Sequence, residues 1–203
     1  MTQPHLPDYP VVTLAPGDLV MCKTPHILVT VLGSCVSVTM LHRASGLAGM
    51  CHAMLPEQRL GGPTEVRGVY RFLDRALDHM VGWFTARGVD LQALELKVFG
   101  GADVLSAAMP PRPGVLTVGA QNVLALTRLL EGHGLTTLRS ALGGRAGLKL
   151  FFDTASGEVL VRRLAPMGQN VIPLLEEHHG TQDQGPGRGR LGARARDAAR
   201  DPG

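Results

Sequence analysis

ILVTVLGSCVSVTMLHRASGLAGMCHAML, residues 27–55, is the stretch on which the fold turns. Residues 27–31 and 36–41 are rich in β-branched and aliphatic side chains, and both runs are too short for helices. They read as strands. Between them Leu32-Gly33-Ser34-Cys35 makes a tight turn that feeds the second strand. Arg43-Ala44-Ser45-Gly46 reads as a hairpin turn, and residues 47–55 as the strand running back. A hairpin drawn this way sets Cys35, at the start of one strand, beside His52 near the end of the next.

Outward from that hairpin, residues 18–22 give another short strand, set off by a turn at Thr24-Pro25. After Pro56 the chain is polar and glycine-rich as far as Thr64, a good helix N-cap with Glu65 in the first turn. Val66, Val69, Leu73, Leu77, Met80, Val81 and Phe84 then recur at steps of three and four, predicting one long amphipathic helix closed by Gly88. Residues 94–99 read as a strand stopped by Gly100-Gly101, and residues 115–118 as a short strand after the breaker run 110–114. A second helix is expected over 121–130, with Val123, Leu126 and Leu130 on one side and Gly132 and Gly134 at its end. Residues 136–142, 148–153 and 159–163 are the last strands, the final two flanking a turn at 154–158. The expected class is α+β: a mixed, largely antiparallel β-sheet sandwich layered with two main helices.

Composition is consistent with that expectation. With 203 residues the chain suggests one principal domain, and 44% hydrophobic content supplies a core while excluding disorder of the whole. Aromatics are only 4%, so the core rests on aliphatic side chains. No apolar run approaches the ~20 residues needed to cross a bilayer, so membrane insertion is not expected. Residues 1–10 carry neither a basic start nor an apolar stretch, and no signal peptide is expected. Cys22, Cys35 and Cys51 make an odd count at spacings unlike a disulfide framework, which suits free thiols in a cytoplasmic protein.

The net charge is +3, but from Gly180 onward five arginines stand against three aspartates, so the tail holds +2 of it. The remainder is close to neutral, and no nucleic-acid partner is expected. The organisation read from sequence is an N-terminal extension over 1–10, a domain over 11–165 and a C-terminal extension over 166–203. From about 180 that extension is expected to be a disordered Gly/Arg-rich tail.

A cysteine at a glycine-containing turn has backbone N–H groups nearby that can stabilise a thiolate and a developing oxyanion. Gly33 and Ser34 are the turn residues placed to supply them. Taken alone, Cys35 is as well explained as a small buried hydrophobe. His52 on the partner strand changes that balance, because a thiol beside an imidazole base is the arrangement of a cysteine nucleophile. Such a pair needs a third group to orient the imidazole. Thr30 lies on the strand entering the turn; Asp8, Asp18 and Asp103 are alternatives, and Thr30 also makes sense as a β-branched strand residue.

Cys35, Cys51, His42 and His52 are four candidate metal ligands within eighteen residues. Cys51 and His52 are adjacent on one strand and point to opposite faces, and the chain has no C-x-x-C or H-x-x-x-H. Neither a metal nor a cofactor is expected. Gly100-Gly101-Ala102-Asp103 and Gly143-Gly144-Arg145 fit no phosphate-binding pattern and read as loop turns.

These motifs resemble those of a known family. Residues 30–36 (TVLGSCV) and 49–56 (GMCHAMLP) resemble the chemotaxis receptor deamidase family CheD. The likeness continues through Lys97–Ala102 (KVFGGA), 118–123 (VGAQNV), Gly143-Gly144 and the hairpin over 149–163. It covers most of residues 11–165. The resemblance implies a protein-glutamine deamidase acting on methyl-accepting chemotaxis receptors, with Cys35 as nucleophile, His52 as its base and Thr30 completing a triad. It also allows a non-catalytic module that docks on receptors or on a CheC-type phosphatase. Ala120 and Gln121 depart from the Glu-Arg common in the family, and Leu148 stands where a basic residue is frequent.

Overall fold

The computed structural model describes residues 9–58, 68–104 and 114–164. The expected tail, Thr64 and Glu65 lie outside them. Among the described residues, nine strands and two α-helices form three layers. The strands are β1 (Val11–Thr13), β2 (Leu19–Cys22), β3 (Ile27–Leu32), β4 (Val36–His42), β5 (Leu47–Cys51), β6 (Glu95–Gly100), β7 (Thr137–Leu142), β8 (Leu148–Asp153) and β9 (Val159–Arg163). The helices are α1 (Leu73–Thr85) and α2 (Val118–Gly132). One sheet has the order β1-β3-β8-β9 and the other β2-β5-β4-β6-β7. Only β1/β3 and β6/β7 are parallel; every other neighbouring pair is antiparallel. The α+β sandwich expected from sequence is the fold.

The alternation of β4 explains why it is central. Val36, Val38 and Met40 face the helices and pack with Leu73, Leu77, Met80 and Phe84 of α1 and Leu126 and Leu130 of α2. Leu41, with Ala48 and Met50 of β5 and Phe99 of β6, faces the other sheet and packs with Leu28, Leu32, Leu150 and Phe152. A strand covered on both faces carries apolar residues on both, which is why residues 36–41 read as a nearly unbroken apolar run. The interleaved Ser37 and Thr39 are buried as well.

Three expectations change. The first helix begins at Leu73, because Gly68 adopts a left-handed conformation (φ 81°) ahead of a 3-10 turn over Val69–Arg71 and Phe72 is extended. Residues 115–117 are not a strand. Thr117 caps α2 by accepting a hydrogen bond from the Ala120 N–H, and Val118 is the first helical residue. The strand expected over 47–55 ends at Cys51 and continues only as single bridges, Ala53 to Val36 and Leu55 to Phe72. The turn at Thr24-Pro25 carries the chain from one sheet to the other, since β2 and β3 do not pair.

Candidate active site

The β4/β5 register pairs Thr39 with Met50, and the bridge Val36↔Ala53 keeps the same count, so Ser37 stands opposite His52. Cys35 lies two residues earlier on the same face, a diagonal neighbour of His52. Such neighbours sit about 7–8 Å apart at Cα, within reach of side chains. Both belong to the inter-sheet face, where Cys35 packs at the edge of the apolar cluster. His52 is 2% exposed, whereas Cys35 is only half-buried.

The third residue comes from the opposite sheet. Thr30 of β3 is buried, and its hydroxyl donates to the Leu14 carbonyl at 2.9 Å. The same oxygen lies 2.8 Å from His52 Nδ1. A hydroxyl has one proton, here given to Leu14, so its oxygen accepts from Nδ1–H. That fixes the tautomer and leaves Nε2 with a free lone pair. Nε2 is buried and has no hydrogen-bond partner among the described residues. The backbone of His52 is clamped from the other side: its N–H donates to the Asp18 carbonyl (2.9 Å) and its carbonyl accepts from Gly17 N–H (2.8 Å).

Asp18 and Asp103, the alternatives for the third group, stand elsewhere. The Asp18 carboxylate accepts from the Ala15 N–H, closing the 15–18 turn, and acts on His52 only as a nearby charge. Asp103 is tied by its N–H to the Gly144 carbonyl. Asp8 is outside the described residues. Of the four candidate metal ligands, Cys35 and His52 share the inter-sheet face. Cys51 faces the helix layer, and His42, at the far end of β4, is bonded through Nδ1 to Ser45.

Burial raises the Cys35 thiol above its ordinary value, against a lowering contribution from its own N–H. Burial holds the His52 imidazole below the usual histidine value, opposed by the Leu14 carbonyl and the Asp18 carboxylate. Both shifts favour neutral groups. The direction of each shift favours a thiol and a neutral imidazole over a thiolate–imidazolium ion pair.

The 33–36 turn is held by its carbonyls. Those of Gly33 and Cys35 accept from Ala102 N–H and Gly101 N–H, both at 2.8 Å, and that of Ser34 accepts from Asn122 Nδ2 at 2.9 Å. In a planar peptide the carbonyl and the following N–H point opposite ways, so these anchors aim the N–H groups of Ser34 and Cys35 away from residues 101–102 and α2. The Val36 N–H is spent on the Ala53 carbonyl, which removes it as an oxyanion donor. Gly100 (φ 100°) comes so close to the turn that a Cβ there would fall on the Cys35 carbonyl oxygen. Gly100-Gly101 thus acts as the backing of the turn and not merely as a strand stop.

Two participants escaped the sequence reading. Leu14 takes the Thr30 proton, and the role of Asn122 was not seen. The available signal for Asn122 was a polar residue on the apolar stripe of α2, in step with Leu126 and Leu130. Beside the segment after His52 opens a groove of about 430 Å³ lined by Pro56, Glu57, Leu116, Gln121, Leu124 and Arg128. A groove of about 570 Å³ between α2 and β7 is lined by none of Thr30, Cys35, His52 and Asn122.

The family described as CheD chemotactic sensory transduction matches residues 54–163. That match opens two residues past His52, so Thr30, Cys35 and His52 precede it. Whole-chain relatives extend further. The probable chemoreceptor glutamine deamidase CheD 2 of Geobacter sulfurreducens is 42% identical over 81% of this chain and 96% of that protein. The probable chemoreceptor glutamine deamidase CheD of Hahella chejuensis is 30% identical over 82% of this chain and 76% of its own. That of Nitratidesulfovibrio vulgaris is 36% identical over 73% and 74%. A family match over more than half the chain, together with relatives that align along most of their own length, shows that this chain belongs to the CheD family.

Proposed function

We propose that this protein deamidates glutamine side chains of chemotaxis receptors, using Cys35 as nucleophile, His52 as general base and acid, and Thr30 to orient His52. The observation that carries the proposal is the fixed tautomer of His52. The Thr30 oxygen holds Nδ1–H, which leaves a buried, unprotonated Nε2 on the inter-sheet face to which Cys35 also belongs. The names of the relatives supply the substrate class.

The chemistry follows from the two neutral groups. Sγ attacks the carboxamide carbon as its proton passes to Nε2. The oxyanion of the tetrahedral intermediate is placed to accept from the N–H groups of Ser34 and Cys35. On collapse the C–N bond breaks, imidazolium gives its proton to the departing ammonia, and a thioester remains on Cys35. Water then attacks the thioester carbon, giving one proton to Nε2. Glutamate leaves as the sulfur recovers that proton. Each turnover exchanges a neutral amide for a carboxylate, altering receptor charge.

The receptor surface proposed as substrate is its cytoplasmic helical region. Met54 and Leu55 are exposed beside the site, and the groove at Leu116 and Leu124 continues that apolar surface. A CheC-type phosphatase is proposed as a second partner, on the family resemblance; co-purification tests it. Ammonia release from glutamine-containing receptor peptides, wild type against Cys35→Ser, tests the enzyme. Release by wild type alone supports it. Receptor binding without release by either protein would instead establish a non-catalytic docking module.

A further inference from the structure

The side chain of Asn122 is fully buried, 0% exposed, on the face of α2 that carries Ala125 and Leu126. Its Nδ2 donates to two carbonyls, Ser34 at 2.9 Å and Met54 at 3.0 Å. The amide nitrogen, not the oxygen, can donate to two carbonyls at once, so the amide orientation is fixed, and Oδ1 has no hydrogen-bond partner among the described residues. Packing alone gives no reason for this choice, since an apolar residue of the same size would fill the stripe and orphan no buried oxygen.

The position of the two carbonyls supplies a reason. Ser34 directly precedes Cys35, and Met54 follows His52 by two residues. The last rung between these segments is Val36↔Ala53. Beyond it both strands present carbonyls, which cannot bond to each other. The two N–H groups of Asn122 clasp both and act as one more rung, at the point where nucleophile and base must be held in register.

We propose that Asn122 is a positioning residue that fixes Cys35, through the Ser34 carbonyl, relative to the segment carrying His52. By holding the Ser34 carbonyl it also aims the Cys35 N–H. The inference rests on the assignment of Cys35 and His52 as nucleophile and base.

The first readout needs no receptor. Alkylation of Cys35 by iodoacetamide, followed against pH, reports base assistance at neutral pH and the bare thiolate at high pH. Asn122→Leu keeps the volume without donors, and Asn122→Ser keeps one donor too short to span both carbonyls. In folded variants, neutral-pH alkylation is expected to fall to the rate of His52→Ala, while the high-pH rate matches wild type. Deamidation kcat is expected to fall about 100-fold, the scale of a misplacement near 1 Å, with KM little changed. A folded variant that keeps the wild-type pH profile of alkylation overturns the inference, and so does failure of both variants to fold, which would make Asn122 a fold determinant. If His52→Ala itself alkylates like wild type, the nucleophile–base assignment has failed and the inference falls with it. Slow His52→Ala beside fast Asn122→Leu sinks the Asn122 inference alone.

Discussion

Replacing Thr30 by valine exchanges one hydroxyl for a methyl of similar size and removes two hydrogen bonds together. The Leu14 carbonyl loses its donor and His52 Nδ1–H loses its acceptor, both inside the sandwich. A buried polar group left unsatisfied costs about 1–3 kcal/mol, so the pair should cost about 2 kcal/mol or more. For a domain of this size that lowers Tm by at least about 4 °C. Catalysis loses the tautomer lock. A net hydrogen bond of about 1 to 1.5 kcal/mol converts to roughly tenfold in kcat, far short of the loss expected for the nucleophile. The oxygen also stabilises imidazolium, so its removal should move the acid limb of the pH–rate profile to lower pH. Thr30→Ser, which retains the hydroxyl, should recover most of the rate. The assay is steady-state ammonia release across pH, with thermal melts of each variant. If Thr30→Ser lowers kcat while Thr30→Val keeps it, the methyl and strand packing matter and the hydroxyl does not. If Thr30→Val behaves as wild type in both measurements, Thr30 orients nothing.

The remaining predictions concern the groups around that triad. His52 titrates below its ordinary 6.5, so kcat/KM should rise with pH through an apparent pKa under that value and be full at neutral pH. The same shift has a stability consequence: unfolded His52 takes a proton that the folded protein resists. Stability should therefore be intact above about pH 6.5 and be lost as pH falls toward the lower folded value, which urea melts at neutral and at acid pH would show. Gly100→Ala forces a side chain into a left-handed conformation and against the Cys35 carbonyl, so it should destabilise by more than about 1 kcal/mol and lower kcat. A stable, fully active Gly100→Ala protein would mean the turn is not held from behind. Burial pushes Cys51 up to about 11, and it faces the helix layer, so Cys51→Ala should keep its rate and lose only packing. Loss of turnover in a folded Cys51→Ala protein would point to a different nucleophile.

What was legible in the sequence was local. The β4/β5 hairpin carries both of its signals, an apolar run and a Gly-closed turn, within about twenty residues, and the diagonal of Cys35 and His52 follows from counting along it. The start of α1 was not legible, because Thr64-Glu65 offers a good cap upstream of a glycine that the chain places in a left-handed turn. Residues 115–118 misled for the opposite reason. Val, Leu and Thr favour strands, but Thr117 finds the Ala120 N–H three residues on, and capping prevails over β propensity with Val115, Leu116 and Val118 left exposed. Nothing near Thr24-Pro25 says that the chain changes sheets there, since pairing is decided by partners far along the chain. The site divides the same way. Thr30 could be named but not distinguished from Asp18, because the choice depends on Leu14, which takes the hydroxyl proton. The Asn122 contact joins residues 88 apart, a distance no local pattern spans.

The account stands most directly on one measurement: tandem mass spectrometry of chemotaxis receptors co-expressed with wild type, Cys35→Ser or His52→Ala protein. Wild type should convert particular glutamines of the receptor helices to glutamate, and neither variant should do so above the level seen with no enzyme. Conversion by folded Cys35→Ser at the wild-type rate, or no conversion by wild type bound to the receptor, would contradict a thiol deamidase built on Cys35, His52 and Thr30.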